Sequence, residues 1–303
     1  MNFNRLPAML FCMAWLAVGN VTAKVDIMAC EPEWASLAKS LGGDKVSVES
    51  VTTAFQDPHH IEARPSLIVK ARNADMLFCT GAELEVGWLP ILLLKSTNSK
   101  IQPNQPGYFL AADQVALIEK PASVDRSQGD VHADGNPHVH WDPYRLLTIA
   151  EAFHQRLQTV DPGNDTHYRQ RYREFVIRFR SAIKTWEAKA EPLNGVKVFV
   201  YHKNWSYLLN WLKIEAVADL EPKPGIPPTG AHLARLLKAS KHSPAKMILI
   251  ANYQDEKAAR WLSDRADIPV VSLPFTVGGD HSVTDLISLY DEVLTRLLAA
   301  SSP

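Results

Sequence analysis

The chain has 303 residues, with 32 Lys and Arg against 33 Asp and Glu, so its formal net charge at pH 7 is −1. The absence of a basic block argues against a nucleic acid as partner. The first residues carry one positive charge, Arg5, then an apolar run at 6–18 and the small-residue pattern Val21-Thr22-Ala23. This pattern is typical of a secretory signal peptide, here residues 1–23, and predicts that the mature chain is exported.

The mature chain of about 280 residues contains no later stretch with the roughly 20 apolar residues that a membrane helix needs, so we expect it to be soluble. Cys12 lies inside the apolar run without the small residues that normally precede a lipid-modified cysteine, so no lipid anchor is expected. Cys30 and Cys79 remain after cleavage. They form a single disulfide if their predicted strands are neighbours, and otherwise stay as buried free thiols.

Strand and helix patterns alternate along the mature chain. Strands are predicted at 25–29, 46–51, 76–79, 108–111, 196–200, 215–220, 247–251 and 270–273. Helices are predicted around 34–41, 65–72, 84–94 (broken by Pro90), 144–157, 207–212, 231–240, 256–266 and 284–300. Such alternation predicts an α/β fold with parallel sheets flanked by helices.

The longest helical pattern joins two such α/β halves. Asn164 or Asp165 can cap its start, and Pro192 with Gly195 ends it, which gives a helix of roughly 40 Å. We therefore predict an N-terminal lobe at 24–163, a linking helix at 164–192 and a C-terminal lobe at 193–303. Ligands of open α/β sheets bind outside the carboxyl ends of the strands, so the site is expected in the cleft between the lobes.

The segment 130–143 combines three imidazoles with three carboxylates. Its turn residues exclude a continuous helix or strand, so irregular backbone presents His132, His138 and His140. This composition indicates either a metal-binding loop or a solvated polar loop that is rich in histidine.

Three further candidate ligands follow predicted strands. His59 follows the strand at 46–51, His202 comes two residues after Val200, and Asp280 follows the strand at 270–273. Together with His138 they emerge on the same side of their sheets. Imidazoles with one carboxylate suit zinc better than magnesium or calcium. Asp280 has an alternative role, because it can instead cap the following helix.

Several motifs resemble one known family. Asp57-Pro58-His59 with Gly81-Ala82-Glu83-Leu84-Glu85, then Asn136-Pro137-His138, then Tyr201-His202 with Glu221-Pro222, are similar to the motifs of the zinc- and manganese-binding solute-binding proteins of ABC importers. The three groups occur in the family's order, and the resemblance covers essentially the whole mature chain.

The resemblance implies two lobes joined by a rigid helix, with a metal held in the cleft by His59, His138 and His202. A histidine at the third position is similar to the zinc-selective pattern, whereas manganese-selective relatives tend to have a carboxylate there. The family's acid after the last strand is replaced by Ser272-Leu273-Pro274. Asp280 is the expected substitute, with water or a loop histidine as the alternatives.

The resemblance also implies a compact metal-collecting loop formed by His132, Asp134 and His140. The expected function is a periplasmic high-affinity carrier that delivers Zn²⁺ to an ABC permease at the inner membrane, with Mn²⁺ as the less favoured cargo. A periplasmic metallochaperone is a further candidate partner, and the protein is expected to be a monomer.

The rival prediction is a zinc-dependent hydrolase, because three histidines without a fourth protein ligand leave an open position for water or substrate. The sequence has no glutamate beside a histidine in the helical spacing typical of zinc peptidases. A carrier, not an enzyme, is therefore the expected function.

Overall fold

The structure is a computed structural model that describes residues 23–122, 129 and 131–302. The predicted signal peptide lies outside the described residues except for Ala23, and so does Asp130 of the histidine loop. No helix in the described part of the chain is long and apolar enough to cross a membrane.

The N-terminal lobe is built on a four-stranded parallel sheet in the order β2-β1-β3-β4. Its strands are β1 Val25–Ala29, β2 Val46–Ser50, β3 Met76–Cys79 and β4 Tyr108–Leu110. Its helices are α1 Pro32–Gly42, α2 Pro65–Asn73, α3 Leu89–Ser96 and α4 Pro143–Val160.

The register of this sheet explains the pairing of the two cysteines. Ala29 on β1 lies opposite Phe78 on β3, so Cys30 and Cys79 follow side by side at the carboxyl ends of neighbouring strands. The two form a disulfide, and both are fully buried. Of the two alternatives left open by the sequence, the structure shows the disulfide.

The C-terminal lobe repeats the arrangement with the order β6-β5-β7-β8, again all parallel. Its strands are β5 Lys197–Val200, β6 Glu215–Asp219, β7 Met247–Ala251 and β8 Val270–Leu273. Its helices are α6 Ser206–Leu212, α7 Gly230–Ser240, α8 Lys257–Ala266 and α9 Leu286–Ser301. The predicted α/β fold of two lobes is confirmed.

The long helix α5, Asp165–Ala190, joins the lobes over 26 residues. It packs against α1 and α4 of the N-terminal lobe and against α9 of the C-terminal lobe. Its buried stripe includes Phe175, Phe179 and Trp186, which belong to a single apolar core that extends into both lobes. The linking helix is thus part of the core and not a flexible linker.

One predicted helix is different in the structure. The segment at 81–88 is a turn, and α3 begins only at Leu89. Gly81, Ala82 and Glu83 all have positive φ, which a right-handed helix excludes. Pro90 therefore lies in the first turn of α3, where its missing N–H leaves no helical hydrogen bond unmade.

Candidate metal centre

Three imidazoles from distant parts of the chain converge between the lobes. His59 lies on the loop after β2, His138 on the segment before α4, and His202 directly after β5. One ring nitrogen of each lies within 4.8 Å of the other two, so the three could hold one metal ion. Two lobes contribute, because His202 belongs to the second sheet.

Carboxylates orient two of these rings. Asp57 Oδ1 lies 2.7 Å from His59 Nδ1, and Glu221 Oε2 lies 2.7 Å from His202 Nδ1. A ring that donates its Nδ1–H to a carboxylate keeps Nε2 as the lone-pair nitrogen, which is the form that binds a metal. Asp57 and Glu221 were part of the motifs in the sequence, but their orienting role was missed. The position of Asp57, two residues before His59, was the sequence signal that could have indicated this role.

His138 is the most buried of the three, with only 1% of its surface exposed. Its backbone N–H donates to Asn136 Oδ1 at 3.0 Å, which fixes the turn that presents the ring. Neither ring nitrogen has a hydrogen-bond partner among the described residues. A buried polar group without a partner is unfavourable, and coordination to a cation would satisfy one of the two nitrogens.

The surroundings favour the neutral form of His138 and the ionised form of Asp57. Burial lowers the pKa of His138 well below its ordinary value, and the neighbouring rings of His59 and His202 lower it further. Burial would raise the pKa of Asp57, but the hydrogen bonds from His59 outweigh it and bring that pKa to about 2. Neutral imidazoles beside ionised carboxylates are the protonation states that metal binding requires.

A fourth histidine, His132, lies beside the group. Its Nε2 is 3.3 Å from His59 Nε2, and the ring also hydrogen-bonds the backbone of Ala82. Burial lowers the pKa of His132 to about 3, assisted by His59 and His202. His132 was predicted as part of a metal-collecting loop, and the structure brings it to the three-histidine group itself.

Asp280 does not join this group. The prediction that Asp280 is the fourth metal ligand is therefore corrected. Its Oδ2 accepts from Arg296 at 2.7 Å, and its Oδ1 accepts from the backbone and hydroxyl of Ser282. These bonds, first that from the Ser282 backbone and then that from Arg296, lower the pKa of Asp280 to about 2. The carboxylate therefore fastens the 278–283 turn to α9. It does not cap that helix, whose N-cap is Asp285.

The other two members of the predicted collecting loop are separated from each other. Asp134 is exposed, whereas His140 is 1% exposed and lies inside the core. His140 Nε2 is 3.3 Å from the carbonyl oxygen of Phe275, and its ring packs against Trp141 and Phe275. His140 is therefore corrected from a solvent-facing collector to a buried residue beside the site.

A second grouping, Cys30, Cys79 and Glu85, has metal-ligand residue types at similar spacing. Its two sulfurs are joined in the disulfide, so they are not available as thiolate ligands. The three histidines that surround the other candidate centre are instead next to open space. A cavity of about 720 Å³ is lined by His132, His138 and His202, and it gives a route from solvent to the site.

Comparison with known proteins decides the family. Residues 27–300 match the family model ZnuA, described as zinc-uptake complex component A, periplasmic.

The chain belongs to this family.

The chain aligns with its relatives over most of its length. The chain is 21% identical to the manganese ABC transporter substrate-binding lipoprotein PsaA of Streptococcus pneumoniae serotype 4, over 84% of this chain and 80% of the relative. It is 22% identical to the iron ABC transporter substrate-binding lipoprotein MtsA of Streptococcus pyogenes serotype M1, over 87% and 84% respectively. A crystal structure of ZnuA superposes with a TM-score of 0.75 at 20% identity, covering 92% of this chain and all of that one.

Membership makes this chain a metal-binding substrate-binding component of an ABC transporter, and not an enzyme. The hydrolase alternative that the sequence left open is thereby removed. The resemblance that the motifs indicated is confirmed.

Proposed function

We propose that this protein captures Zn²⁺ in the cleft between its lobes and delivers it to an ABC permease. The observation that carries the proposal is the convergence of His59, His138 and His202, one of them from the second lobe, with no carboxylate among the three. An all-imidazole set favours zinc, whereas carboxylate, carbonyl and water ligands favour manganese. The relatives named for manganese and iron make those metals the competitors to test.

The fourth ligand that we propose is His132. Four nitrogens at about 2.0–2.1 Å from a tetrahedral zinc ion lie about 3.4 Å from each other. The distance of 3.3 Å between the Nε2 atoms of His59 and His132 already matches this ligand-to-ligand distance. Small movements of His138 and His202 would complete a closed site without an open position for substrate, as a carrier needs.

The first experiment is metal analysis of the purified protein, with competition between zinc, manganese and iron(II) at equal concentrations. We expect one zinc ion per chain. His138→Ala should weaken zinc binding by at least a hundredfold, since one of four ligands is lost, while His242→Ala, in the exposed turn after α7, serves as the matched control. Equal retention of zinc by the two variants, or a preference for manganese over zinc, would contradict the proposal.

The role of His132 is tested with Co²⁺ as a spectroscopic substitute. A four-nitrogen site in the wild type should show the intense visible absorption of tetrahedral Co²⁺. In His132→Ala a solvent molecule would replace the ring, so we expect a shifted spectrum and a smaller loss of zinc affinity than in His138→Ala. An unchanged spectrum would exclude His132 as a ligand and leave the three-histidine site intact.

We also propose that the carrier works in the periplasm after a signal peptide is cleaved at Ala23, with the lobes and linking helix bounded at 24–163, 164–192 and 193–303. The relatives named as lipoproteins make a lipid anchor the competing arrangement. Mass spectrometry of the mature protein separates the two, because a cleaved, unlipidated chain would begin at Lys24. The inner-membrane permease is the proposed partner, a metallochaperone is a further candidate, and the carrier is proposed to act as a monomer.

A further inference from the structure

Glu33 is a buried carboxylate that the metal site does not use. It lies in the first turn of α1 in the N-terminal lobe, and only 2% of its surface is exposed. Its Oε2 accepts a hydrogen bond of 2.5 Å from the hydroxyl of Thr276, which follows β8 in the C-terminal lobe. This bond joins residues 243 positions apart and is buried on both sides, since Thr276 is 4% exposed.

The other oxygen of the same carboxylate faces the metal-site segment. Glu33 Oε1 lies 3.4 Å from His140 Nδ1. His140 belongs to the 3₁₀ turn Val139–Trp141, which directly follows the metal-site residue His138. One carboxylate therefore contacts both the opposite lobe and the turn that carries a proposed ligand.

The C-terminal lobe holds the same turn from its own side. Phe275 accepts from His140 Nε2 through its carbonyl oxygen, and its ring packs edge-on against His138 with centroids 5.6 Å apart. Tyr290 on α9 donates its hydroxyl to the carbonyl oxygen of His140 at 2.6 Å. Thr276 and Phe275 are adjacent, so separation of the lobes at Thr276 would also disturb the packing of His138.

We propose that Glu33 and Thr276 form an interlobe latch that positions His138 and slows the release of the bound metal. The proposal rests on the proposed zinc-binding function of the same site. Glu33 is a positioning residue, because it acts through the turn that carries His138 and through the loop that packs on that ring. Breaking its bond to Thr276 would leave a buried carboxylate with one partner fewer and would loosen both contacts.

The test is the rate of zinc dissociation into an excess of chelator from the full-length mature protein. Thr276→Val is nearly isosteric and removes only the hydroxyl, and we expect it to accelerate dissociation roughly tenfold, as loss of one buried hydrogen bond would. Thr276→Ser keeps the hydroxyl and should stay within about twofold of the wild type. Thr295→Val, which removes an exposed hydroxyl on α9, is the matched control.

Glu33→Leu removes the acceptor from the other lobe and gives an independent measurement if Thr276→Val does not fold. A latch predicts that each single change accelerates release and that the double variant releases zinc no faster than the faster single variant, because one bond is lost in all three. Fully additive effects would overturn the proposal.

Two outcomes separate failure of the latch from failure of the zinc site. If Thr276→Val lowers the melting temperature of the metal-free protein but leaves zinc dissociation unchanged while His138→Ala accelerates it, the bond is only structural and the latch is wrong. If His138→Ala itself leaves zinc binding unchanged, the proposed function fails first, whatever Thr276 does.

Discussion

Glu85 should destabilise the metal-free protein at neutral and alkaline pH, although it is fully buried and well hydrogen-bonded. Burial raises its pKa to about 7, against an ordinary value of 4.5, and the bonds that its carboxylate accepts from the N–H groups of Thr80 and Gly81 offset only part of that effect. Glu31 lies beside it, with a pKa raised well above the ordinary value first by burial and then by the charges of Glu85 and Glu33. The two carboxyl groups interact directly, and each affects the pKa of the other.

The sign of the pH dependence follows from these values. Between pH 4.5 and about 7 the folded chain holds a proton on Glu85 that the unfolded chain has released, so the contribution of Glu85 to stability falls as pH rises through this window and levels off above it. At about 1.4 kcal/mol per pH unit the total loss is of the order of 3 kcal/mol. Glu85→Gln keeps the shape and one acceptor oxygen but cannot ionise.

Urea denaturation of the chelator-treated protein tests this. We expect Glu85→Gln to be more stable than the wild type by roughly 1–3 kcal/mol at pH 8, and by less than about 1 kcal/mol at pH 5. Glu62→Gln, at an exposed position, should show no such difference. If Glu85→Gln is the less stable protein at pH 8, the carboxylate is stabilised by its hydrogen bonds more than it is penalised by burial, and the reasoning is wrong.

Three further predictions concern the site and its support. Asp57→Asn and Glu221→Gln should each weaken zinc binding by roughly 10- to 100-fold in a chelator competition assay, because the rings of His59 and His202 lose their orienting acceptors; affinities within twofold of the wild type would show that the rings orient themselves. Asp280→Asn should leave zinc affinity unchanged and lower the melting temperature, and a large loss of zinc would restore Asp280 as a ligand. Replacing both disulfide cysteines by Ala should lower the free energy of unfolding by roughly 4 kcal/mol in urea denaturation, since the bond closes a loop of 49 residues in the unfolded chain, and an unchanged midpoint would contradict this.

The strands and helices were predictable because their signals are local. Apolar runs such as Met76–Cys79 and the three-and-four spacing of the aromatic residues on α5 reproduce the observed elements within a few residues. The exception was the 81–88 segment. Its helical composition is overridden by positive φ at Ala82 and Glu83, and the carboxylate of Glu85 binds back onto the N–H groups that precede it.

The convergence of the histidines was predictable only where the topology of the sheets alone determines their position. The carboxyl ends of parallel strands bring His59 and His202 to the cleft, so the strand pattern was sufficient for them. Asp280 also follows a strand, but its partner Arg296 lies 16 residues away on α9, and the orientation of that helix is not encoded in a local pattern. The approach of His132 to His59 likewise depends on how two loops meet, which composition does not determine.

The apolar core that runs without interruption along α5 through both lobes restricts how the protein can respond to its cargo. Wide hinge opening would expose Phe179 and Trp186, which contact Tyr290 of α9 across this core. Loaded and empty chains should therefore have nearly the same outline. A receptor that accepts one and ignores the other must recognise the conformation of the short loops at the rim and not the angle between the halves.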